Sequence, residues 1–175
     1  MKAQMVSLAL VLTVSAVTAS VNADDKTGKG ASQRFEALKG LAGDWVEVDK
    51  DGKPTDKVIS SIRVTSGGNT VQETLFPGSD KEMVTMYHLD GADLVLTHYC
   101  MLGNQPRLRA EPGDDVKKIV FKFIGGTNLK SDDDTHMHQA TLTIKSKDRL
   151  EAEWVACKDG KACHEVKLEL ARKQK

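Results

Sequence analysis

Beyond residue 23 the 175-residue sequence has no uniformly apolar run. No later segment is therefore a candidate for a membrane-spanning helix, which needs about 20 such residues. Neither sign of charge dominates: 25 Lys and Arg face 25 Asp and Glu, interspersed along the chain. A basic stripe that could track a phosphate backbone is absent, which argues against a nucleic-acid partner. Gly67-Gly68 and Gly125-Gly126 lack the strand-loop-helix setting of a phosphate loop and read as turns. Asp132-Asp133-Asp134 lacks the Gly and the distal Glu of a calcium loop and reads as a solvated loop. There is no Gly-x-Ser-x-Gly elbow for a nucleophilic serine. There is also no Cys-x-x-Cys-His run, so any haem would be held non-covalently.

The N-terminus has the three parts of a secretory signal: basic Lys2, apolar Met5 to Val17, and the small-residue cleavage site Val21-Asn22-Ala23. The expected mature chain starts near Asp24 and is periplasmic or secreted, with no membrane contact in the mature form. No Cys stands at the cleavage site to carry a lipid anchor. About 150 residues then remain, the size of one domain. Residues 24–31 read as a flexible linker and 32–175 as a single domain. That domain opens with a short helix over 32–41, where Phe35, Leu38 and Leu41 recur at helical spacing behind Ser32.

From Asp44 the period changes to alternation. Ten strands are expected, at roughly 44–49, 57–65, 70–76, 82–89, 93–101, 106–111, 116–123, 136–146, 149–157 and 163–171. The gaps carry turn chemistry: Asp51-Gly52, Gly67-Gly68-Asn69, Pro77-Gly78, Asp90-Gly91, Pro112-Gly113 and Asp159-Gly160. Short links make neighbours antiparallel, and so many short strands with almost no helix favour a closed antiparallel barrel, which has no exposed edges.

Side chains two apart on a strand point the same way, so alternation assigns an inner face. It places His136, His138, Ala140, Leu142 and Ile144 inside, together with Leu94, Leu96, His98 and Cys100. Met83, Thr85 and Tyr87 align with that face, and His88 points out. Val58, Ser60, Ile62 and Val64 fall with Val71, Glu73 and Leu75, which buries a carboxyl that needs a partner or a proton. In the last hairpin Leu150, Ala152 and Trp154 oppose Val166, Leu168 and Leu170. Cys157 and Cys163 flank a turn-like pentapeptide, and in an oxidising compartment a cross-strand disulfide between them is expected, leaving Cys100 free.

Three inward imidazoles are more than a plain core needs. His136-x-His138 sets two rings about 6.6 Å apart along one strand, and His98 could add a third ligand for zinc or copper. A single inward His could instead ligate haem at the barrel mouth. The leading expectation is a small ligand in a polar cavity lined by Glu73, Tyr87, His98, His136 and His138, with Asn104, Gln105 and Arg107 near a mouth loop. The rival is an enzyme with an inward His as acid or base and Glu73 as its orienting partner. A structural or interaction module with a filled interior is the plainest alternative.

Leu41-Ala42-Gly43-Asp44-Trp45 at the entry to the first strand resembles the Gly-x-Trp start of the calycin barrels, which include lipocalins, fatty-acid-binding proteins and nitrobindins. That resemblance implies Trp45 at the barrel floor, covered by Arg172 from the last strand. The runs Glu73 to Gly78, Met86 to Gly91, Thr97 to Cys100, Gly103 to Arg107, Thr127 to Leu129 and His136 to His138 resemble a family of uncharacterised exported bacterial proteins. Ten strands suit a nitrobindin-like or fatty-acid-binding-like barrel better than an eight-stranded lipocalin. Nitrobindins hold haem through a His near their C-terminal strands, but no motif here matches that ligand to His164 or another residue.

Overall fold

Turn dipeptides and alternating strands resolve into a closed antiparallel barrel of ten strands in a computed structural model, which describes residues 23–174. The strands are β1 Gly43–Val48, β2 Pro54–Thr65, β3 Thr70–Leu75, β4 Met83–Asp90 and β5 Asp93–Tyr99. β6 Gln105–Ala110, β7 Lys118–Thr127, β8 His136–Ser146, β9 Arg149–Lys158 and β10 Lys161–Arg172 complete the set. Each strand pairs with its sequence neighbours, and β1 pairs with β10 to close the cylinder. Apart from Ala23, the expected signal segment lies outside the described residues.

The helix α1, Ala23–Lys39, starts well before Ser32, so the segment 24–31 expected as a linker is helical. Packing explains the difference. Ala31 is buried, and Gly30 lies so close to the loop between β6 and β7 that a Cβ there would meet the Gly113 carbonyl oxygen at 2.5 Å. The glycine that looked like a linker residue is the one that lets the helix dock. Buried Arg34 clamps the same loop, donating to the Glu111 carbonyl at 2.7 Å through Nη1 and to the Asp115 carbonyl at 3.1 Å through Nε. Arg34→Ala removes both charged hydrogen bonds and leaves their acceptors unmet. A loss of about 2–3 kcal/mol, or roughly 5–10 °C in Tm, is expected. Thermal unfolding followed by circular dichroism measures it, and an unchanged midpoint would show that the clamp contributes nothing.

Phe35, Leu38 and Leu41 from α1 and the turn after it are buried against the barrel interior and close one end. Trp45 lies at this floor, fully buried, with the Arg172 guanidinium 4.4 Å above its ring. The pairing implied by the Gly-x-Trp start is thus present as geometry.

Candidate ligand cavity

Register arranges the interior in rows across β2 to β6. Nearest α1, Val71, Tyr87, Leu96 and Leu108 are successive partners, with exposed Val64 ending the row on β2. The next row runs Ile62, Glu73, Thr85, His98, and the third pairs Ser60 with Leu75 and Leu75 with Met83. Glu73, Thr85 and His98 make the middle row polar, and apart from Nε2 of His98 their groups find partners nearby. Glu73 accepts from Ser60 Oγ and from Tyr87 Oη, both at 2.7 Å, while His98 Nδ1 shares a 2.9 Å hydrogen bond with Thr85 Oγ1. Burial pushes the Glu73 carboxyl up, against the lowering effect of its Ser60 and Tyr87 hydrogen bonds. Burial also raises the Tyr87 hydroxyl well above its usual value, reinforced by the Glu73 charge, and depresses His98 to about 4. Glu73 does not orient His98, so the acid–base pair expected from the sequence is not formed.

Beyond this row, away from α1, the barrel is hollow. A cavity of about 520 Å³ is lined by Leu75, Phe76, Met83, His98, Trp154 and Val166 among others, with Met101, Leu102, Lys81 and His164 also on its wall. Met101 and Leu102 are 60% and 53% exposed, which gives the mouth an apolar lip. The lining of the cavity is apolar, where the sequence led to the expectation of a polar one. Glu73 and Tyr87 lie below it, around a void of about 10 Å³ against Leu38 and Leu41, room for one water at most. Two residues of the cavity wall each keep a buried ring nitrogen without a partner, His98 at Nε2 and Trp154 at Nε1. Their rings are neighbours, with centroids 4.8 Å apart.

His136 and His138 do not join His98. A bulge in β8 between Met137 and Gln139 makes His138 an extra residue, so the alternation that holds for Ala140 and Leu142 is reversed before it. Thr135 and Met137 line the cavity instead. His136 points the other way, opposite Cys157, which alternates with the cavity residues Trp154 and Ala156. Among the described residues no group of three or more His, Cys, Asp or Glu side chains gathers to hold a metal ion, so the three-histidine centre is not assembled.

A second bulge, between Ala162 and His164, places Ala162 rather than Cys163 opposite Cys157. The expected disulfide is not formed. Cys157 is buried, Cys163 is exposed, and both are free, as is Cys100. Gln105 and Arg107 are also displaced from the mouth. They line a shallow depression on the outer wall with Tyr99 and Ile124, and Arg107 pairs there with Asp90. Asn104 is buried and ties the β5–β6 loop to the β7–β8 loop through a 2.8 Å bond from Nδ2 to the Thr135 carbonyl. It shapes the cavity rim without lining it. Alternation placed Trp154 inside as ordinary core, and only its indole N–H, which needs a partner when buried, hinted at more.

No family model matches this chain, and no curated protein is significantly similar to it.

Proposed function

We propose that this chain is an exported binding protein for a small, largely apolar molecule carrying one polar group, held with that group at His98 and Trp154. The observation that carries the reading is that two residues lining an otherwise apolar cavity, His98 and Trp154, each keep a buried ring nitrogen without a partner. Trp154 Nε1 can only donate, and His98 Nε2 donates or accepts according to how Thr85 shares its proton. A carbonyl, hydroxyl or ether oxygen would satisfy both, and apolar surface would fill the remainder. His98 is held neutral by its burial, which favours an uncharged head group over an acid needing a countercharge.

The same exposed-lip cavity and Thr85-oriented imidazole suit a second occupant, haem, with His98 Nε2 as the axial nitrogen. One set of measurements separates the two. Solvent extraction of the purified protein with mass spectrometry should release an organic guest, and the emptied protein should bind N-phenyl-1-naphthylamine saturably. Ala156→Trp, which fills the cavity from β9, should abolish that binding, and His98→Leu should weaken recovery of the natural guest about tenfold, the worth of one buried hydrogen bond. A Soret band on adding hemin, lost in His98→Leu, would replace the organic ligand with haem. Probe binding unaffected by Ala156→Trp would end the cavity reading altogether.

A further inference from the structure

Off the cavity wall, at the start of β8, His136 and His138 face each other with His136 Nε2 and His138 Nδ1 only 3.0 Å apart. In a regular strand, residues two apart are separated by about 6.6 Å, and the bulge at His138 brings the rings together. His136 Nδ1 lies 2.7 Å from the Asp134 carbonyl oxygen. A carbonyl only accepts, so that nitrogen carries the proton and Nε2 of the neutral ring presents its lone pair to His138. Phe123 lies beside both rings, 4.0 and 5.5 Å away by centroid, and fixes their orientation.

We propose that His136 and His138 form a two-point chelate for a divalent transition-metal ion, with Cu(II) the best fit. Metal-ligating histidines commonly donate their other ring N–H to a carbonyl, as His136 does to Asp134. Two nitrogens each about 2.0–2.1 Å from a metal are about 2.8–3.0 Å apart at a right angle and roughly 3.3–3.4 Å apart at the tetrahedral angle. The observed spacing therefore matches adjacent corners of tetragonal Cu(II), which is also the ion that imidazole binds most strongly in the divalent series. On binding, the ion takes the place of the proton between the rings, and that proton moves from His138 Nδ1 to its Nε2.

His136 is buried but His138 is half-buried, which leaves the ion's other positions to water. The charged groups that act on His138 oppose each other: Lys122, hydrogen-bonded to Gln139, disfavours a cation, and Asp132 favours it. The thiol opposite His136, Cys157, is kept protonated by its burial.

The test is a Cu(II) titration of the full chain near neutral pH, by calorimetry and electron paramagnetic resonance. It is run in a Cys163→Ser background so that the exposed thiol does not react. One equivalent should bind with a tetragonal spectrum showing imidazole nitrogen coupling. His138→Ala, at a half-buried position that spares the core, should weaken binding at least about tenfold, the scale on which a metal site responds even to its supporting groups. His136→Gln should do the same, while His164→Ala should not. Zn(II) should bind more weakly than Cu(II). Binding that survives His138→Ala, or that follows His164 or His98 instead, would overturn the proposal. So would Zn(II) binding more tightly than Cu(II).

Discussion

Replacing Trp45 by Ala should lower the free energy of unfolding by about 3–5 kcal/mol, the largest single-residue loss expected in this barrel. Domains of this kind have only about 5–15 kcal/mol in total, so the loss is a large fraction of the whole. The indole is fully buried and donates from Nε1 to the Leu41 carbonyl at 2.9 Å. It also supports Arg172, whose guanidinium lies over the ring and donates to the carbonyls of Gly40, Ala42 and Lys147 at 3.1, 2.8 and 2.9 Å. Arg172→Ala alone should cost about 2–3 kcal/mol through those bonds. Because each single change already removes the stacking between them, the double variant should lose less than the sum, by about 1 kcal/mol. Urea unfolding of the four proteins gives this coupling directly. Strict additivity would mean that the two residues stabilise the floor independently.

The second large effect depends on pH and has opposite signs at two neighbouring residues. His98 takes a proton near 6.5 when unfolded but only near 4 when folded, so its contribution to stability falls as pH drops through that window, by roughly 3 kcal/mol in all. Glu73 behaves the other way. Its folded carboxyl keeps the proton above 4.5, where the unfolded chain releases it, so its contribution falls as pH rises above 4.5. Above 4.5, for as long as the folded Glu73 carboxyl keeps its proton, the two slopes oppose each other and flatten the wild-type curve. Each conservative variant should expose the other slope. Glu73→Gln, still able to meet Ser60 and Tyr87, should lose stability on acidification, and His98→Gln should lose it on alkalinisation. Denaturant midpoints across this range decide the matter, and a Glu73→Gln curve as flat as wild type would show that Glu73 titrates normally.

Where a turn announced itself by Asp-Gly or Gly-Gly and the flanking strands paired without interruption, alternation alone located the interior. Thr85 opposite His98 and Trp154 opposite Val166 are both as expected from spacing. Failure came at the bulges. Nothing in His136-Met137-His138-Gln139 marks an extra residue: no Gly or Pro stands there, and each residue suits a strand. One unpaired position nevertheless kept both histidines off the cavity wall, where Thr135 and Met137 stand instead. The slip between Ala162 and His164 separated Cys157 from Cys163 in the same way. Gly30 misled for another reason, because a residue chosen for close approach in a docked helix is the same one that fills a linker. Nor does alternation reveal whether inward side chains meet. Leu75, Met83 and Val166 would read identically in a packed core, and only their placement around the barrel shows the hollow between them.

Closure through β1 and β10 spans only part of β10. β1 meets it over Leu170, Ala171 and Arg172, so residues 161–169 of β10 pair with β9 on one side and, among the described residues, with no strand on the other. This is the stretch of the barrel where an extended peptide could add itself as a further strand, with main-chain hydrogen bonds supplying the attachment. Its side chains work against that: Lys161, Glu165, Lys167 and Glu169 set charges along the edge, a pattern that discourages edge-to-edge aggregation.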